Sequence, residues 1–231
     1  MKKFTLMMAT ALVATSSSKA DIRLVLEPSP QSYSNSCQSY GLAYLLGTAP
    51  NSPFSVSNPM ELRVLEKDIR AKIEATALSQ GISPTKHSVW KQAISEYTSK
   101  AYTFREQAFG DKNLVAAKVE ELTGVSTAGA LPVAISSVIT TRPVMVSFKR
   151  VGANKYVSGH IVVVLGTDAG RNEKLGFLML NEAVIGPDNT KIACKPSDPS
   201  PEKGDSRYRA ITSVEKDYEL TSNSVIWLEK N

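Results

Sequence analysis

The sequence predicts a protein of the α+β class, because helical patterns fill its first part and strand patterns fill its second. Apolar residues recur at helical spacing between Asn58 and Gly124, and short apolar runs bounded by turn residues follow Arg142. Helices first and strands second is the order typical of α+β domains. We expect a helical half at about 31–139 and a sheet half at about 140–231.

Residues 1–20 have the pattern of a secretory signal peptide. Lys2 and Lys3 give a positive start, and the apolar stretch from Phe4 to Val13 is too short to span a bilayer as a stable anchor. We expect cleavage at the end of this segment and a single mature domain over residues 21–231. The pattern indicates a bacterial protein exported to the periplasm or secreted from the cell.

Composition excludes several classes of function. Loss of the three lysines of the signal segment lowers the net charge from +5 to about +2, which gives no argument for nucleic-acid binding. No later stretch is apolar enough for membrane insertion. Two histidines and two scattered cysteines provide no closely spaced metal ligands, and no glycine-rich loop opens a helix, so no metal and no cofactor are expected. Oligomeric state is left open.

The first elements surround a cysteine. The apolar run from Ile22 to Leu26 predicts a short strand, and two prolines then favour an extended approach. A helix is predicted to start at Cys37, capped by one of residues 34–36, and to end at Gly47. Residues 48–57 are rich in Pro, Ser and Asn and predict a loop.

The second helix has the clearest boundaries. Asn58 is a predicted cap, Pro59 occupies the first helical position, Glu61 occupies the third, and Gly81 ends the run. Its charged residues are interpreted as a solvated helix face. The apolar face consists of Leu62, Leu65, Ile69, Ile73 and Ala77, and the charged residues are Glu61, Arg63, Glu66, Lys67, Asp68 and Arg70.

Two more helices and four main strands complete the prediction. One helix starts at Ser83 to Thr85, and another is capped by Asp111 and ends at Gly124. Residues 186–209 contain four prolines and predict an irregular excursion. The apolar helix faces are Val89, Trp90, Ala93, Ile94 and Tyr97, then Leu114, Val115, Val119 and Leu122, and the strands are Val144 to Phe148, Ile161 to Leu165, Phe177 to Leu180 and Val225 to Leu228.

Four residues form a candidate catalytic constellation. Cys37 starts a helix, His160 opens a buried strand, Asn181 ends the next strand, and Gln31 stands six residues before the cysteine. A helix N-terminus stabilises a thiolate, and a nearby imidazole can deliver a proton to the leaving group. Asn181 can orient the imidazole ring, while the Gln31 amide and the backbone N–H of Cys37 can bind an oxyanion. This pattern predicts a thiol hydrolase that cleaves an amide bond through an acyl-enzyme.

These stretches resemble the papain-like cysteine peptidase superfamily, nearest to the bacteriocin branch that cleaves leader peptides at double-glycine sites. The resemblance rests on Ser36-Cys37 to Gly47, on Arg142-Pro143-Val144 and on Gly159-His160 to Gly166. It implies a papain-like fold, with the cleft between a helical half and an antiparallel sheet, and a peptide or protein substrate. The tryptophan that shields the triad in plant and lysosomal members is absent, since Glu182-Ala183 follow Asn181. That departure leaves the substrate class open.

Other interpretations of the same residues stay open. Cys37 and Cys194 can form one disulfide in an oxidising compartment, which would favour a non-catalytic papain-like binding module. The same Cys-His-Asn chemistry also suits a peptidoglycan amide hydrolase or an acyl transferase. His160 can be a core histidine, and His87, at a helix start without a companion, is interpreted as surface. Trp90 and Trp227 are interpreted as packing residues.

Overall fold

The structure is a computed structural model with an α+β architecture, which confirms the predicted class. It describes residues 23–24, 32, 36–127, 139–140, 142–151, 157–169, 175–180, 184–185, 191–192, 208–209 and 218–231. The helices are α1 (Cys37–Thr48), α2 (Pro59–Gln80), α3 (His87–Tyr97) and α4 (Lys112–Thr123).

Strand β1 precedes the helices, β2 lies between α3 and α4, and the other strands follow α4. The main sheet has the order β10-β7-β6-β5-β11-β2, and its neighbours on this path pair antiparallel, whereas β3 pairs parallel with β6. The strands are β1 (Arg23–Leu24), β2 (Tyr102–Ala108), β3 (Ser126–Thr127), β4 (Ile139–Thr140), β5 (Val144–Val151), β6 (Val157–Ala169), β7 (Leu175–Leu180), β8 (Val184–Ile185), β9 (Lys191–Ile192), β10 (Tyr208–Arg209) and β11 (Tyr218–Lys230).

Local capping explains the bounds of α2. The Asn58 side chain accepts hydrogen bonds from the backbone N–H groups of Met60 and Glu61, and Pro59 opens the helix. Gly81 ends α2 in the left-handed conformation at φ 65°. The predicted start and stop of this helix are therefore confirmed.

The sheet separates two apolar clusters. One lies on the face covered by α1, α2 and α3, and the other lies on the face covered by α4. Trp90 belongs to the first and Trp227 to the second, as packing residues. The strand residues of the first cluster are Tyr102, Phe104, Met145, Ile161, Val163, Leu165, Ile226 and Leu228, and those of the second are Val144, Val146, Val162, Val164, Val225 and Trp227.

Strand β2 is the main element that the sequence did not predict. It lies within the predicted helical half but joins the sheet edge beside β11, pairing from Tyr102 opposite Lys230 to Ala108 opposite Ser224. Only Tyr102 and Phe104 of this edge strand bury their side chains, and all four residues from Arg105 to Ala108 are exposed. The sheet is therefore not confined to the second half of the chain.

Smaller differences concern helix ends and faces. Helix α3 begins at His87 rather than at Ser83 to Thr85, and Leu114 of α4 is exposed, whereas Val115 and Val119 are buried as predicted. Among the described residues, none of the helices combines the length and apolar character needed to cross a membrane.

Candidate functional site

Cys37 is the first residue of α1, as predicted, and it lies where this central helix reaches the surface. Every residue from Ser39 to Thr48 is buried, whereas Cys37 is half-buried. Its thiol is free, and its Sγ lies 3.5 Å from Oε1 of Gln38. The helix therefore presents one partly accessible nucleophile at its positive end.

Helix α1 is held close to the sheet at Gly41. A Cβ atom at that position would lie 3.0 Å from Cε and Sδ of Met145 on β5, so only glycine permits this approach without displacing the methionine. On its other side α1 packs against α2. Cys37 thus stands on a helix fixed between two layers, which limits the movement of the thiol.

The direction of α1 relates Cys37 to the strand that carries His160. Gly41 lies opposite Met145, and farther along the helix Leu45 and Ala49 line a small pocket with Pro143. Helix α1 therefore runs antiparallel to β5. Cys37, one turn before Gly41, is directed toward the later residues of β5, at a rise of about 1.5 Å per helical residue.

His160 lies on β6 opposite that later part of β5. Its register partner is Phe148, and the pairing of the two strands runs without interruption from Val144 opposite Val164 to Val151 opposite Val157. The backbone of His160 and the start of α1 therefore lie toward the same end of the helix–sheet unit.

The residues that follow His160 alternate between the two faces of the sheet. Ile161 and Val163 pack on the face covered by α1, whereas Val162 and Val164 pack on the face covered by α4. This is the ordinary two-residue period of a strand.

Glu66 of α2 is buried beside the start of α1, which corrects its interpretation as part of a solvated helix face. Its side chain is 0% exposed, whereas Lys67 and Asp68 are exposed. The carboxylate accepts the Ser36 hydroxyl at 2.6 Å through Oε1. It also accepts the backbone N–H of Ser32 at 2.9 and 2.8 Å through its two oxygens, and the Ser32 hydroxyl at 2.9 Å.

These contacts tie the segment before Cys37 to α2. Burial raises the pKa of Glu66, and the hydrogen bonds from Ser36 and Ser32, together with the charge of Arg63, oppose that rise. Because the Ser36 hydroxyl is directed to Glu66, it does not cap α1. The first-turn N–H groups of α1, which have no intrahelical acceptor, are thus not taken by this side chain.

A sequence signal for Glu66 existed, although the charge cluster concealed it. Leu62, Leu65, Ile69 and Ile73 define the buried stripe of α2, and position 66 lies four residues after Leu62 and three before Ile69. A lone carboxyl on an apolar stripe is typically satisfied by specific hydrogen bonds. The serines at 32 and 36 were the available partners.

Three of the residues singled out in the sequence lie outside the described residues: Gln31, Asn181 and Cys194. The signal segment, residues 1–20, also lies outside them. Arg142 and Pro143, from the motif shared with leader peptidases, line the pocket with Leu45 and Ala49, toward the end of α1 that is remote from Cys37. The structure thus describes the positions of Cys37 and His160 and not those of the other two predicted site residues.

The other histidine has a companion, contrary to prediction. His87 Nδ1 lies 2.7 Å from a carboxylate oxygen of Glu106 on β2, and its ring stacks 4.4 Å from that of Trp90. The side chain is 31% exposed, so it joins α3 to β2 rather than standing free on the surface. This pair was not predicted because Glu106 lies on β2, a strand that the sequence patterns did not indicate.

No protein-family model and no curated protein matches the chain. The resemblance to papain-like peptidases therefore rests on the motifs alone. Within the described part of the chain, no group of three or more His, Cys, Asp and Glu side chains is arranged to hold a metal ion.

Proposed function

We propose that the protein is an exported cysteine peptidase-type hydrolase of papain-like fold, acting on amide bonds of peptides or proteins. The observation that carries the proposal is the free, half-buried thiol of Cys37 at the first position of an otherwise buried helix. A thiolate there is stabilised by the helix dipole and by first-turn N–H groups. The fixed packing of α1 supports a preorganised nucleophile.

The proposed reaction has two steps. The Cys37 sulfur attacks the substrate carbonyl, the C–N bond breaks, and the imidazolium of His160 gives its proton to the departing amine. Water, deprotonated by the imidazole, then hydrolyses the thioester and releases the carboxylic acid. The backbone N–H of Cys37 and the Gln31 amide bind the oxyanion in both steps, while Asn181 orients the ring.

The antiparallel course of α1 along β5 supports the pairing of Cys37 with His160, since it directs both toward one end of the sheet.

The direct experiment compares two substrates with one matched pair of variants. Purified mature protein, with reductant, is incubated with denatured casein and, separately, with purified sacculi. We expect casein peptides to appear with wild type and Cys194→Ser, and to be absent with Cys37→Ser. Muropeptides released in place of casein peptides would redirect the proposal to cell-wall amide hydrolysis, and cleavage that survives Cys37→Ser would refute the assigned nucleophile.

A further inference from the structure

We propose that Glu66 is a positioning residue for the thiol reaction, because its carboxylate fixes the segment that leads into Cys37 and holds the oxyanion donors in place. The inference rests on the proposed function. It adds a residue of α2 to a site whose predicted residues lie on or before α1 and on the sheet.

The first step of the argument is where the bonds fall. Glu66 contacts Ser36, the residue directly before Cys37, and Ser32, the residue directly after Gln31. One carboxylate therefore anchors both neighbours of the two predicted oxyanion donors.

The second step is rigidity. Glu66 is fully buried on a 22-residue helix that packs directly against α1. The surrounding core therefore restricts the movement of its carboxylate. An ionised carboxylate only accepts hydrogen bonds, and each bond here comes from a donor on the segment before Cys37. Bonds from a backbone N–H and two hydroxyls to one buried carboxylate hold Ser32 and Ser36 against α2.

The third step is the availability of the helix N-terminus. A serine at the cap position usually turns its hydroxyl toward the N–H groups of the first turn. Here the Ser36 hydroxyl is bonded to Glu66 and makes no capping bond, so this hydroxyl does not compete with a substrate oxyanion for those donors. The carboxylate thus supports the site both by anchoring the segment and by diverting a competing acceptor.

Two reactions of the same thiol separate positioning from folding. Acylation by p-nitrophenyl acetate forms a thioester at Cys37, expels p-nitrophenolate and passes through a tetrahedral oxyanion, whereas alkylation by iodoacetamide displaces iodide without one. A variant that only weakens the nucleophile lowers both rates by one factor, and circular dichroism of the same samples reports the folded fraction. A variant that misplaces the oxyanion donors lowers acylation more than alkylation.

The test measures both rates in wild type, Glu66→Gln, Glu66→Ala and the control Glu61→Ala. Glu61 is a suitable control because, on the same helix, it accepts the N–H and hydroxyl of Ser57 but is exposed. We expect Glu66→Ala to lower the ratio of acylation to alkylation roughly tenfold or more, with Glu66→Gln intermediate and Glu61→Ala unchanged.

Ratios within twofold of wild type in both Glu66 variants would overturn the inference while leaving the nucleophile in place. If Glu66→Ala does not fold, Glu66→Gln and Ser36→Ala give the same decision, since each keeps the core volume closer to wild type. Absence of any Cys37 acylation in wild type, with alkylation intact, would instead reject the proposed hydrolase. The two failures therefore produce different results.

Discussion

Two serine–glutamate contacts on α2 use the same bonds in opposite environments. At the start of the helix, Glu61 accepts the backbone N–H and the hydroxyl of Ser57 at 2.7 and 2.9 Å. One and a half turns later, Glu66 accepts the same two groups from Ser32, and the hydroxyl of Ser36 in addition. Glu61 is exposed and Glu66 is fully buried.

Burial reverses the balance of forces at the two carboxyls. The hydrogen bond from the Ser57 backbone is the largest influence on Glu61 and lowers its pKa, whereas removal from water is the largest influence on Glu66 and raises its pKa. The first contact closes the N-terminus of a helix, as a capping residue does. The second fixes a chain segment beside a nucleophile, at a cost in solvation.

Removal of each carboxyl gives the largest contrast. Glu66→Ala leaves the Ser32 N–H and the Ser36 hydroxyl without their acceptor inside the protein, so we expect a loss of about 3 kcal/mol in the free energy of unfolding. Glu61→Ala exposes its former donors to water and should shift the urea midpoint only slightly. Urea unfolding followed by circular dichroism measures both, and equal shifts would contradict the distinction.

Removal of the serine hydroxyls gives a smaller contrast of the same kind. Ser36→Ala deletes the 2.6 Å bond to Glu66 and should lower the free energy of unfolding by about 1.5 kcal/mol, since the carboxylate keeps its bonds to Ser32. Ser57→Ala should have almost no effect, because water replaces the lost hydroxyl at an exposed carboxylate. A Ser57→Ala loss as large as that of Ser36→Ala would show that burial does not govern these contacts.

The pH dependence of stability should have opposite signs at the two sites. The raised pKa of Glu66 means that the folded state favours its protonated form. Wild type should therefore lose stability relative to Glu66→Gln as the pH rises from about 4.5, the ordinary glutamate value, through the raised pKa. The lowered pKa of Glu61 means that wild type loses stability relative to Glu61→Gln as the pH falls below about 4.5.

Urea midpoints of the three proteins across this range test the signs directly. Parallel pH profiles for wild type and Glu66→Gln would show that Glu66 titrates in the folded protein as it does in the unfolded chain. Such a result would contradict the role given to burial.

Local signals in the sequence were sufficient for most of the fold. Asn58 with Pro59 and Gly81 bound α2, and Asp111 with Gly124 bound α4, because caps and stops act through neighbouring residues. The core strands β5, β6, β7 and β11 were found from their apolar runs. The helices α2 and α4 begin and end within two residues of their predicted boundaries. The four strands extend beyond the apolar runs from which they were predicted.

The features that were not predicted depend on contacts between distant residues. Strand β2 carries Arg105, Glu106 and Gln107 on an exposed edge, so it lacks an apolar run and is defined by its pairing with β11. Glu66 resembles its charged neighbours in sequence, and its hydrogen-bond partners are serines 30 and 34 residues away. For the site, the sequence correctly predicted Cys37 at a helix start, while the pairing of Cys37 with His160 is still a prediction.

Alkylation of Cys37 tests that pairing most directly. Mature protein, prepared without reductant, is treated briefly with iodoacetamide at about pH 6, where ordinary thiols with a pKa of about 8.5 react slowly, and its intact mass is measured. Cys37→Ser, His160→Ala and the control His87→Ala are treated alike. We predict fast single alkylation in wild type and His87→Ala, none in Cys37→Ser, and a clear slowing in His160→Ala. Equal rates in wild type and His160→Ala would contradict a histidine-activated nucleophile, and a mass two protons light without alkylation would indicate a Cys37–Cys194 disulfide.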